Sequence, residues 1–317
     1  MRAIQVQAPG LFTTVQDLGR EGFGPMGVSA AGAADAIALR VGNRLVGNPE
    51  TSAGLEMTLL GGTFSFPDGG IVALTGSDFG ATLDDEPVET WTTLEVMPLQ
   101  TLRAGPSRAG ARCYVCVAGG ISVPLFLGSA STHVLSGLGG FEGRALRKGD
   151  VLPVGEAKDE THKFARRRVS ANSLTRFLPR KVLRVTPGPQ SEWFSEAALR
   201  LFYESEYRVT EESNRMGLRL EGAAIPADSA RGEMITEGVS LGAIQVPENG
   251  LPIILFVDQQ TTGGYPKIAN VIAADLASVG QLRPRNEVRF EMVEWEQARS
   301  LLRNQEELLA SEDLISG

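Results

Sequence analysis

The chain has 317 residues, 42% hydrophobic and 21% charged, with a formal net charge of −8. That length allows one large domain or two of ordinary size with room for a real core, and the acidic balance argues against a general nucleic-acid binder, which needs a basic face. No apolar run approaches the ~20 residues that span a bilayer, and Met1–Val6 lacks the apolar region and cleavage site of a signal peptide, so a cytoplasmic chain without membrane association is expected.

The first polar constellation is Thr13-Thr-Val-Gln-Asp-Leu-Gly-Arg20, with Gly19, Gly22, Gly24 and Gly27 around it. An arginine fork grips a carboxylate or phosphate in two places, and a nearby Asp17 can orient it or act as a base. The alternative is an internal Asp17–Arg20 pair holding a glycine-rich loop. Residues 33–48 then read as a helix, with Ile37, Leu39, Val41, Leu45 and Val46 on its apolar face, Asp35 near its start and Gly47 at its stop. Glu56 is a lone acid in the apolar strand 54–62. Alternation puts it on one face with Thr58, and burial would demand a cation beside it, with Arg20 or Arg144 as candidates.

Most of the remaining chain is short β-type runs punctuated by Gly, Pro and Asp, with 37 glycines in all, which favours barrels or sandwiches over a βαβ sheet. Cys113 and Cys116 share one such run. Three residues apart on a strand they face opposite sides, so two buried thiols are expected, and neither a disulfide nor a metal site. Ser129, Ser131 and Thr132 lie in a glycine-rich stretch with no G-x-S-x-G elbow and read as turn-satisfying hydroxyls. The charged stretch 155–180, with its basic run Lys163–Arg168, reads as a solvated linker between halves at 1–165 and 166–317. Further helices are expected over 195–203, 269–279 and 293–311.

Asn214 and Arg215 precede a strand-like Leu218–Leu220. The richest stretch runs from Gly242-Ala-Ile-Gln245 through the apolar Ile253–Val257 into Asp258-Gln-Gln-Thr-Thr-Gly-Gly-Tyr-Pro-Lys267. Gln245, Gln259, Thr262 and Tyr265 offer uncharged donors and acceptors. Gly263 and Gly264 allow a sharp turn, and Lys267 lies within reach of an anion held by such a turn. A hairpin with a solvated tip is the alternative. Neither G-x-G-x-x-G in a strand-to-helix context nor G-x-x-x-x-G-K-[ST] occurs, so no complete nucleotide motif is present.

Taken in order, these segments resemble the KipA family, whose relatives include the C subunit of ATP-dependent 5-oxoprolinase, "allophanate hydrolase subunit 2" and the second half of the urea carboxylase carboxyltransferase region. The matching pieces are Thr14–Arg20, Gly32–Asp35 with Asn43–Asn48, Gly119–Ile121 with Leu127–Thr132, Asn214–Leu220 and Gly242–Asp275. Two positions depart from the family pattern: Ala34 stands where Met is usual, and Pro284-Arg285-Asn286 where Pro-Gly-Asp is usual. The resemblance implies a mainly β fold of two cyclophilin-like β-barrel units with a few short helices, in which the N-terminal segment packs with the C-terminal unit. It implies the C component of an ATP-dependent 5-oxoprolinase that opens 5-oxoproline to glutamate with a KipI-like B component and a LamB/YcsF-like A component. ATP would enter at the level of the complex, with no site located in this chain. Two alternatives stay open: the carboxyltransferase component of a urea or amide carboxylase, using biotin on a partner, and a non-catalytic antagonist of a KipI-like kinase inhibitor. On the first reading Asp17, Arg20, Glu56 and Lys267 are catalytic candidates. Gln16, Asn214, Arg215, Gln245, Gln259, Thr262, Gly263, Gly264 and Tyr265 are candidates to bind a lactam or amide substrate, and Gln16, Asp17 and Arg20 are expected to converge with the 259–267 loop.

Overall fold

The computed structural model describes residues 2–157, 166–226 and 234–317. The fold is mainly β, with five α-helices among the described residues. The chain divides into two compact units, residues 1–20, 31–178 and 308–317 in the first and residues 21–30 and 179–307 in the second.

The first unit is built on two antiparallel sheets. One orders the strands 151–153, 3–8, 63–65, 101–103, 82–83 and 86–87; the other orders 12–16, 54–58, 112–117, 70–76, 92–96, 168–169 and 315–316. Val15, Leu55, Met57, Phe64, Val72, Leu74, Val115 and Leu152 share its core. Helix α1 (Ala36–Leu45) lies against the strands 70–76 and 112–117. Asp35, near its start as the sequence suggests, caps it, its Oδ1 accepting from Ala38 N–H at 2.9 Å. Contact with the sheet is close at Gly42, where a Cβ would stand 2.6 Å from Cys116 Sγ and 2.8 Å from Thr75 Oγ1.

That helix explains why Arg112–Val117 is buried at all six residues. Cys113, Val115 and Val117 point into the core, whereas Cys116 lies under the helix at Gly42. Both cysteines are free. Burial, reinforced by the charge of Asp78, pushes the Cys113 thiol up to about 12, and burial raises Cys116 as well, so both stay protonated and inert.

The second unit is a closed seven-stranded barrel ordered 182–187, 267–271, 243–245, 253–255, 217–221, 207–209 and 287–292. Parallel pairing of Val182–Val185 with Arg289–Met292 closes it. Helix α3 (Glu196–Glu204), capped by Ser195, stacks Phe202 on Phe290 with ring centroids 4.6 Å apart. A two-stranded ribbon pairs Glu237–Gly238 with Thr262–Gly263. The expected C-terminal helix is α5 (Trp295–Ala310).

Two sequence expectations change. The division falls after Leu178, not at 165, because Arg168–Val169 pairs with Ile315–Ser316 and Thr92 of the first unit, and α2 (Ala171–Arg176) follows, capped by Ser170. Lys163–Ala165 of the basic run lie outside the described residues. Residues 269–279 are not one helix: Lys267–Val271 is a barrel strand, and only Leu276–Gln281 forms α4. Lys267, Ile268 and Ala269 are all buried, so the segment lacks the polar alternation that separates strand from helix. Arg285, where the family pattern has glycine, keeps the left-handed conformation with φ +71° at the strain cost of its Cβ.

Candidate functional site

In the first unit, the Gln16–Arg20 segment ends a strand and runs against residues 126–132. Asp17 Oδ1 accepts from Gly19 N–H at 2.8 Å, Ser129 Oγ at 2.6 Å and Ser131 Oγ at 2.5 Å, while Oδ2 accepts from Ala130 N–H at 2.6 Å. Four donors saturate the carboxylate, so its geometry is that of a loop anchor and not of a base open to substrate. The hydroxyls of Ser129 and Ser131 do what the sequence suggests and satisfy this turn. Gln16 donates to Thr14 Oγ1 at 2.9 Å and Thr132 O at 3.1 Å. Arg20 does not pair with Asp17 through its fork as the alternative reading had it. Its guanidinium donates to Phe126 O at 3.3 Å and to Ser131 O, and covers the Phe126 ring. Gly139 leaves room for it; a Cβ there would lie 2.8 Å from Arg20 Nη2.

Glu56 is fully buried, as its strand position predicts. The cation beside it is Arg112, with Nε 3.7 Å from Oε1. Arg144 instead pairs with Glu142 and Asp150. Glu56 Oε2 accepts from Ala34 N–H at 2.8 Å and Tyr114 Oη at 2.6 Å, and the same Tyr114 oxygen accepts from Asp35 N–H at 2.7 Å. Burial first, and the charges of Glu56 and Asp35 next, push the Tyr114 phenol well above its usual range, so it remains the donor to Glu56. The network seats the start of α1. Glu56→Gln, which keeps an acceptor, is expected to cost about 1 kcal/mol, and Glu56→Ala about 3 kcal/mol because it strands two donors. Urea unfolding measures both, and equal losses would move the explanation to the Arg112 charge.

In the second unit a cavity of about 750 Å³ opens along the barrel, with Asn214, Gln245, Gln260 and Tyr265 in its wall. Glu211, Glu212, Glu221 and Arg219 also line it; Glu212 lies 3.9 Å from Arg219, while Glu211 pairs with Arg285 and Glu221 with Arg208. Asn214 and Tyr265 are exposed, and Asn214 Oδ1 accepts from Met216 N–H at 2.8 Å, a local turn that fixes its amide. Gln245 is buried, and its Nε2 meets no acceptor among the described residues. Such a donor in a cavity wall suits a carbonyl oxygen.

Gln245 is the register partner of Lys267 on the next strand, beside a bulge that follows Ile244. Lys267 is 2% exposed, and its Nζ lies 2.6 Å from Glu237 Oε1. The approach is oblique, an ion pair more than an aligned hydrogen bond. Glu237 Oε1 also accepts from Gln190 Nε2 at 2.9 Å. Neither Gln190 nor Glu237 is distinguishable in the sequence from solvated residues of the same type; only the fold sets them beside Lys267.

The remaining candidates separate. Gln259 donates to Val239 O at 3.2 Å, Thr262 and Gly264 are exposed, and Gly263 is a strand residue of the ribbon. Gly263 and Gly264 do not adopt positive φ. A Cβ at 263 would stand 2.4 Å from Gln245 Nε2, the movable end of that side chain, so glycine leaves the Gln245 amide in its present place. Arg215 is bound in a bidentate pair with Asp258, Nε–Oδ2 2.8 Å and Nη2–Oδ1 3.0 Å, both side chains buried. Gln16, Asp17 and Arg20 belong to the first unit and residues 259–267 to the second.

The model of the family described as carboxyltransferase domain, subdomain A and B, matches residues 26–292. The C subunit of 5-oxoprolinase from Escherichia coli (strain K12) is 40% identical over 295 residues, 93% of each chain. The protein of the same name from Haemophilus influenzae (strain ATCC 51907 / DSM 11121 / KW20 / Rd) is 37% identical over 293 residues, 92% of each chain. The crystal structure of the K. lactis urea amidolyase superposes with a TM-score of 0.88 at 30% identity; the match covers 99% of this chain and 21% of that much longer one. No described helix is long and apolar enough to cross a membrane.

Proposed function

We propose, for a chain that belongs to the carboxyltransferase subdomain A and B family, that it is the C component of an ATP-dependent 5-oxoprolinase and works in the cytoplasm with a KipI-like and a LamB/YcsF-like partner. The observation that carries this is the 40% identity to a protein named as the C subunit of 5-oxoprolinase across 93% of both chains. The cavity in the second unit supports it chemically. A lactam is a neutral amide, and the wall offers the amides of Gln245, Gln260 and Asn214. Opening it places negative charge on the carbonyl oxygen, and Lys267 is the strand neighbour of Gln245 in that wall.

ATP supplies the driving force for an uphill ring opening. No complete nucleotide motif occurs in this chain, and we assign ATP to the complex. The carboxyltransferase reading draws on the likeness to urea amidolyase, and it requires biotin on a partner.

The test is reconstitution. The purified chain, its two partner proteins, ATP and 5-oxoproline are expected to yield glutamate, with no turnover when this chain is left out. A folded, complete complex that makes no glutamate sinks the proposal; biotin-dependent carboxylation of urea by the chain and a biotinylated partner would put the carboxyltransferase reading in its place.

A further inference from the structure

The ion pair of Lys267 with Glu237 in the second unit has a partner set that the proposed reaction does not yet use. Lys267 sits on the barrel strand 267–271 with its ammonium withdrawn from solvent, and Glu237 reaches it from the ribbon at 2.6 Å. Gln190 ties both ends of this contact. Its Nε2 donates to the Glu237 carboxylate at 2.9 Å, and its Oε1 accepts from the backbone N–H of Lys267 at 3.2 Å. The turn that carries Gln190 lies hard against the strand: a Cβ on Gly188 would stand 2.2 Å from Lys267 O. Glu237 is anchored in turn by its register with Gly263, whose missing side chain lets the ribbon settle on Gln245.

We infer that Glu237, held by Gln190, is a positioning residue that fixes the Lys267 ammonium on the strand next to Gln245, which lines the cavity. Resting on the 5-oxoprolinase reading, the consequence is that Lys267 serves ring opening by its charge, and is neither base nor nucleophile. A buried lysine without a partner readily gives up its proton; a carboxylate at ion-pair distance opposes that loss. Glu237 is the charged group set against the ammonium, and Gln190 and Gln245 are its neutral polar neighbours. The Lys267 contact first, and the Gln190 hydrogen bond next, hold the Glu237 carboxyl below its usual range, which is the matching behaviour on the other side of the pair. Removing Glu237 leaves the buried ammonium without its ion-pair partner.

The chain has five lysines, so ammonium signals in a ¹H–¹⁵N spectrum of the intact chain are few enough to assign. One slowly exchanging lysine ammonium is expected in the wild type, lost in Lys267→Arg, lost or broadened in Glu237→Gln and kept in Glu237→Asp. A wild-type spectrum without it, or one unchanged by Glu237→Gln, overturns the assignment. In the reconstituted complex, Glu237→Gln is expected to lower kcat about tenfold with KM little changed, and Glu237→Asp to restore most of it. Lys267→Met should lose about 100-fold or more in kcat, and Lys267→Arg should keep a measurable part of it. An arginine variant as inactive as the methionine one, with kcat unchanged in Glu237→Gln, shows that Lys267 does not act by a charge that Glu237 positions and rejects the inference. A wild-type complex that makes no glutamate rejects the 5-oxoprolinase reading instead, and the ammonium spectrum still judges Glu237.

Discussion

Asp17→Ala is expected to destabilise the first unit by about 3–5 kcal/mol. The carboxylate receives two backbone N–H groups, from Gly19 and Ala130, and two hydroxyls, from Ser129 and Ser131, all beside a side chain only 7% exposed. The hydroxyls can rotate to other acceptors. The two N–H groups are fixed by the backbone, and each stranded donor costs roughly 1–3 kcal/mol. The loop also depends on the return bond from Asp17 N–H to Ser131 Oγ at 3.0 Å, which weakens once Ser131 turns away. Asp17→Asn keeps the shape but must aim an NH₂ at one of the donors, so about 2 kcal/mol is expected. Trp91 belongs to the first unit, whereas Trp193 and Trp295 belong to the second. Urea unfolding of Trp193→Phe/Trp295→Phe chains followed by fluorescence therefore reads the first unit alone. A midpoint for Asp17→Ala equal to the parent would show that the carboxylate holds nothing, and would return it to the pool of bases.

The sequence carried those features whose cause is local. The apolar face of α1 with Asp35 at its start, the position of α3 and the opposed thiols of Cys113 and Cys116 all follow from spacing along one element. Burial of Glu56 followed the same way, but its partner did not. Arg112 reaches it through strand pairing of Tyr114 with Glu56, and register between distant strands leaves no trace in a single sequence. The 267–271 strand was unreadable for a related reason: buried on both faces, it lacks the alternation that marks a half-exposed strand. Gly263 was legible as a glycine position, yet not for what it does, which is to leave room for the neighbouring Gln245 amide and not to make a turn. The catalytic candidates were hardest of all. Asp17, Arg215 and Lys267 are chemically apt side chains, and their availability depends on partners between 30 and 114 residues away, namely Glu237, Asp258 and Ser131.

Arg215 poses that question most sharply, because its guanidinium fork is the right shape for a substrate carboxylate. In the fold the fork is occupied by Asp258, and the backbone ties the same pair again through Asp258 N–H to Arg215 O at 2.9 Å. Arg215→Ala is expected to cost about 3–5 kcal/mol, since it leaves the Asp258 carboxylate buried without its cation. The double variant Arg215→Met/Asp258→Leu removes both charges and replaces them with apolar volume, and should lie within about 1 kcal/mol of the wild type. Trp193 and Trp295 fluorescence in a Trp91→Phe chain reads the second unit in the same urea titration. The two measurements together separate structure from chemistry in a way the single variant cannot. An arginine that only holds the barrel end leaves a stable double variant that still supports glutamate formation in the complex. An arginine that grips substrate leaves a double variant equally stable but with KM raised about tenfold or more, the loss expected when a charged contact to a ligand disappears. The bidentate geometry and the burial of both side chains place the expectation on the first outcome, and a stable but inactive double variant would overturn it.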